Sequence, residues 1–201
     1  MIKNYIKLIL VMSLINSDCS AQKDLLVSNV ESSPNKQVVE DSVLLKLQGE
    51  NDLVVAYAIE NFAWARSIDY RIIAQNNNEW KGFNYTVNNT SHTSSGLMPV
   101  NVSTDSCNAL WKFVKDKEAT EIVGDDGKDF CTDQKKNNCN INDGATWRLL
   151  FITKNSIADP SYYEPEFYEK CCPGNSNRQL FLQVANKIKS IVGSNEKGIE
   201  Q

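Results

Sequence analysis

A chain of 201 residues carrying 21 Lys and Arg against 25 Asp and Glu, with a formal net charge of −4, lacks the clustered basic charge that nucleic-acid binding requires. Its single histidine, His92, argues against a His-based zinc centre. No apolar stretch beyond residue 21 approaches the roughly 20 residues needed to span a bilayer.

Residues 1–21 read as an export signal. Lys3 and Lys7 give the positive start, Leu8 to Ile15 the apolar run, and Cys19-Ser20-Ala21 a small-residue cleavage site before Gln22. The expected location is extracytoplasmic, secreted or periplasmic. The alternative is a membrane-tethered lipoprotein modified at Cys19, which Asn16-Ser17-Asp18 in front of that cysteine fits poorly. Loss of residues 1–21 removes Lys3, Lys7 and Asp18 and shifts the formal charge from −4 to −5.

Residues 22–42 are polar around Ser32-Ser33-Pro34-Asn35 and are expected to form a flexible leader. A single α+β domain is expected over residues 43–193, with a polar tail over 194–201. Val43-Leu44-Leu45 and Leu53 to Ile59 are apolar runs compatible with strand or buried helix, and the β-branched content of the second favours strand. Ser67 to Gln75 and Glu79 to Val87 flank Asn76-Asn77-Asn78, which predicts an antiparallel hairpin with Phe83, Tyr85 and Val87 on one face. Residues 88–103 read as a long loop.

A helix is expected from Thr104 or Asp105, because Cys107, Leu110, Trp111 and Val114 recur at helical spacing. Gly124 to Gly144 is polar, Leu149 to Ile152 predicts a central strand buried on both faces, and Asn177 to Val192 predicts a helix stopped by Gly193. This order predicts an antiparallel sheet with helices packed on one face and disulfide-stapled loops.

Six cysteines are present, and without Cys19 five remain. Cys171 and Cys172 are neighbours, too close for the usual disulfide geometry. The pairings expected are Cys131 with Cys139 across the polar loop, and Cys107 with one of the adjacent pair, taken as Cys172. One thiol is then left over.

No nucleophile elbow, phosphate loop, dinucleotide fingerprint, HExxH or CxxC occurs, and no cofactor is expected. Asp125, Asp126 and Asp129 are candidate calcium ligands, although the loop does not satisfy the EF-hand spacing from Asp125 or from Asn138. Four N-x-[ST] triplets, at Asn84, Asn88, Asn89 and Asn101, matter only in a host that glycosylates exported proteins at that signal. Residues 159–173 read as an irregular loop that crowds aromatic rings beside carboxylates. Tyr162, Tyr163, Glu164, Glu166 and Tyr168, with Arg148, form the candidate binding surface for a protein or carbohydrate ligand. A non-catalytic binding module is the leading reading. A hydrolase using Glu164 and Glu166 as paired carboxylates is the rival, and a thiol-exchange protein built on Cys171-Cys172 comes third.

Overall fold

The computed structural model describes residues 41–62, 66–125, 139 and 141–193. Residues 22–40 of the leader, the export signal, the tail over 194–201, Cys131, Asp126 and Asp129 lie outside the described residues; Asp41 and Ser42, expected in the leader, belong to the fold.

Asp41 opens the fold by capping a helix, α1 (Ser42–Glu50), its carboxylate accepting the amides of Val43 and Leu44. The chain then enters β1 (Leu53–Asn61), β2 (Ser67–Asn76) and β3 (Glu79–Asn88). Asn77 and Asn78 join β2 to β3 with φ of 49° and 67°, the left-handed pair that a tight hairpin demands and asparagine tolerates. Two short strands, β4 (Thr93–Ser94) and β5 (Met98–Val100), occupy the segment expected to be loop, and both pair with β3.

The predicted helix is α2 (Thr104–Asp116), with Cys107, Leu110, Trp111 and Val114 buried as expected. Its cap is Ser103, one residue before the expected start. After a short 3₁₀ turn (Ala119–Glu121) come β6 (Ala145–Thr153), β7 (Ile157–Ala158) and β8 (Ser161–Tyr163). Two helices complete the described residues: α3 (Pro165–Cys171) and α4 (Ser176–Val192). In α4, Phe181, Val184, Ala185, Ile188 and Val192 are buried.

Among the described residues, eight strands pair antiparallel in one sheet, in the order β4-β3-β2-β1-β6-β7, with β5 on β3 and β8 on β6. The α+β class and the antiparallel sheet follow the expectation, but helices cover both faces. Leu53, Val55 and Tyr57 of β1 face a core shared with α2 and α4, whereas Val54, Ala56 and Ala58 face Leu44 and Leu47 of α1. The alternating side chains of one strand thus enter two cores, which is why β1 reads as an unbroken apolar run.

The disulfide expectation is corrected. Cys139 bonds to Cys171, with Cα atoms 6.0 Å apart, so a Cys131–Cys139 bridge does not form. Cys107 is a free, fully buried thiol on the core side of α2 and bridges to neither adjacent cysteine. Cys172 is itself disulfide-bonded. Closing a loop of this length is worth about 3–4 kcal/mol in the chain-entropy account. Among the described residues, no helix is long and apolar enough to cross a membrane.

Candidate functional site

The segment expected to present aromatic rings is mainly architectural. β8 adds to the edge of β6, placing Tyr162 opposite Trp147, and the Tyr162 ring packs edge-on against Phe181 at 5.0 Å. Its hydroxyl donates to the Val123 carbonyl at 2.7 Å. Tyr162 and Tyr168 are buried, and Tyr163 is half-buried, its hydroxyl accepting the Gly144 amide at 2.8 Å. Residues 165–171, read as loop, form α3, with Pro165 at the position where its missing N–H costs nothing. The aromatic side chains therefore hold this helix to the sheet rather than forming an open platform.

The candidate carboxylates are also engaged. Glu164 sits at φ 41° where β8 turns into α3, and its Oε1 accepts the Ala145 amide at 2.6 Å. A Cβ at Gly144 would lie 2.7 Å from that oxygen and 2.8 Å from the Tyr163 hydroxyl, so glycine alone permits the approach. Arg148 points to the opposite face of the sheet and pairs through both Nε and Nη2 with Asp159, whose side chain is 4% exposed. Asp125 lies beside β8, its amide donating to the Ser161 carbonyl at 2.7 Å.

Glu166 leads to a different site. Its Oε1 lies 3.8 Å from Lys189 Nζ on α4, and that ammonium sits 3.9 Å from the centre of the Trp147 ring and 4.9 Å from that of Tyr57. The two rings meet edge-to-face at 5.5 Å. A cation on aromatic faces beside a carboxylate is held by ring quadrupole and charge together. Burial draws the Lys189 ammonium below its ordinary pKa, against the pull of Glu166.

Tyr57 begins a polar row across the sheet. In the pairing register it stands opposite Arg71 on β2, and Arg71 stands opposite Asn84 on β3. Directly opposed residues of antiparallel strands share a face, so all three project toward the side covered by α4. The Tyr57 hydroxyl and Asn84 Oδ1 are buried with no hydrogen-bond partner among the described residues. Leaving such groups unpaired costs free energy, and native structures seldom tolerate it without a use. One is a donor, the other an acceptor, and Arg71 stands between them.

The electrostatics favour holding over reacting. Burial, with the charges of Glu166 and Glu164, raises the Tyr57 pKa far above that of free phenol, while Arg71 opposes the shift. Tyr57 is thus a neutral donor at any physiological pH and cannot serve as a base there.

Of the residues singled out from the sequence, only Glu166 belongs to this cluster, with Glu164 acting on Tyr57 through its charge. Tyr57, Arg71, Asn84, Trp147 and Lys189 escaped sequence reasoning as site residues. The one available signal was an arginine interrupting an apolar strand, Tyr70-Arg71-Ile72-Ile73. No protein-family model matches the sequence, and no curated protein matches it.

Proposed function

We propose that the protein is an exported, non-catalytic binding module whose recess at Tyr57, Arg71 and Asn84 takes a small polar ligand, a saccharide being the class that fits best. The observation that carries this reading is the pair of buried, unpartnered groups, the Tyr57 hydroxyl and Asn84 Oδ1, on either side of Arg71. A sugar hydroxyl both donates and accepts, so neighbouring hydroxyls answer both groups at once. Trp147 and the Lys189–Glu166 pair stand beside Tyr57 and offer the apolar and charged contacts that fix orientation in such sites.

Hydrolysis by Glu164 and Glu166 is not favoured, because Glu164 is committed to the Ala145 amide and Glu166 to Lys189. Export rests on residues 1–21, and N-terminal sequencing of protein recovered outside the cytoplasm should begin at Gln22.

The binding test is a glycan array followed by calorimetry on the leading hit. Binding by the native chain, lost in Tyr57→Phe and Asn84→Ala and unaccompanied by cleavage of the glycan, is the expected result. Release of reducing ends would reject the non-catalytic reading, and equal binding by the two variants would reject the recess.

A further inference from the structure

We propose that, once its disulfides are reduced, the protein binds Zn²⁺ through the sulfurs of Cys139, Cys171 and Cys172. Their Sγ atoms all lie within 4.8 Å of one another. The Cys139 and Cys172 sulfurs are 3.8 Å apart, close to the edge of a tetrahedron built on Zn–S bonds of about 2.3 Å. All three residues are half-buried, shielded from bulk water yet reachable by a reductant and an ion.

The Cys139–Cys171 bond sets one of these separations, and further contacts hold Cys171 and Cys172 in place. Cys171 ends α3, and the Cys172 amide donates to the Tyr168 carbonyl at 2.8 Å. Arg178, itself 4% exposed, donates to the Cys172 carbonyl and to Glu169 Oε2, the latter at 2.9 Å. Asn175 caps α4 immediately after the cysteine pair. Two of the three ligand positions are thus tied to a helix end and a buried guanidinium through backbone contacts that do not themselves involve the S–S bonds.

The chemistry balances as follows. Each disulfide takes up two electrons and two protons and becomes two thiols; a dithiol reductant leaves as its own disulfide, and a phosphine as its oxide with the oxygen of one water. Zn²⁺ then displaces the thiol protons, one for each sulfur it ligates, and three thiolates leave a fourth position for water or for the second thiol freed when the Cys172 disulfide opens. Thiolate ligands select soft and borderline ions such as Zn²⁺ over Mg²⁺ or Ca²⁺. The disulfide form, with these sulfurs bonded, is closed to the ion.

The experiment uses the full chain, reduced with a phosphine and freed of metal. Titration with Zn²⁺ should give one tightly held ion per chain with proton release, and Co²⁺ as a spectroscopic stand-in should give a thiolate-to-metal charge-transfer band. Both should survive Cys107→Ser and disappear in Cys139→Ser and Cys172→Ser. Because those variants also alter the disulfides, the reduced native chain is alkylated with and without Zn²⁺ and mapped by peptide. Protection of Cys139, Cys171 and Cys172 supports the site. No retained ion, no protection of these three, or equal binding by the oxidised protein overturns it.

Discussion

Glu164 and Ala145 are joined by two hydrogen bonds: the Glu164 amide donates to the Ala145 carbonyl at 3.0 Å, and the Ala145 amide donates to the Glu164 carboxylate at 2.6 Å. This pair fastens the start of β6 to the turn that launches α3. Glu164→Ala leaves the Ala145 amide without its charged acceptor and should lower unfolding free energy by about 1–3 kcal/mol, with Glu164→Gln losing less. Urea denaturation of the three proteins checks this, and an Ala variant as stable as the native chain would refute the assigned role.

Tyr57→Phe should behave in the opposite way. Deleting a buried hydroxyl that lacks a partner removes its desolvation cost, so the free protein should be unchanged or about 0.5–1 kcal/mol more stable. Ligand binding should fall all the same, the trade of stability for function expected of a binding residue. Thermal melts with and without the glycan hit separate the two effects. A clear loss of stability in the free variant would show that the hydroxyl is already satisfied.

Arg148, half-buried, and Asp159, almost wholly enclosed, form an ion pair on the α1 side of the sheet. Arg148→Met strands that carboxylate and should cost about 3 kcal/mol. Adding Asp159→Asn should restore part of the loss, because the remaining group is neutral. A double-mutant cycle in urea measures the coupling, and strict additivity would deny the pair any net contribution.

Alkaline pH should destabilise the fold in two stages. Burial pushes the Cys107 thiol up from 9.0 to about 11, and burial together with the hydrogen bond to Asp41 pushes Tyr85 up from 10.0 to about 12; burial raises Tyr57 and Tyr70 further. The unfolded chain releases these protons first, so it binds fewer than the folded chain above pH 9, and stability falls as pH rises. Their contribution is complete below pH 9, erodes first through the thiol and then, above pH 10, through the tyrosines. Urea midpoints from pH 7 to 11 should show this decline, with Cys107→Ala flattening the early part and Tyr85→Phe the later. Cys107 should also resist alkylation in the native state at pH 8, where its thiolate is scarce.

The elements easiest to read from the sequence were those whose signals are local. Asn77-Asn78 announced the β2–β3 hairpin because left-handed φ is needed there, and Phe181 to Val192 announced α4 because five core residues recur over three turns. Helix α1 was ambiguous because only Leu44 and Leu47 are buried in two and a half turns. α3 was hidden behind prolines and tyrosines that suggested an irregular loop. The cluster around Tyr57 was illegible for a different reason. Tyr57, Arg71 and Asn84 meet only once three strands are in register, and Trp147 joins them only through the pairing of β1 with β6. The cysteine pairing failed similarly, since proximity in sequence favoured Cys131 with Cys139 while the fold carries α3 to Cys139.

The pairing of β1 with β6 sets Leu53 opposite Thr153 and Asn61 opposite Ala145, so the middle of the sheet closes over the whole intervening chain. The entropy of that closure grows only slowly with length, but the contacts form late. During synthesis the β2–β3 hairpin can assemble on β1 as soon as it emerges, while the other edge of β1, with Val54, Val55, Ala56 and Tyr57 in sequence, waits for residues far downstream. A nascent chain in this condition offers an unpaired edge whose first seven residues, Leu53 to Ile59, are apolar, the hazard that leads unfinished sheets to aggregate. Yield should therefore depend on how promptly β6 is delivered, and chaperone demand should peak between the appearance of Asn61 and that of Thr153.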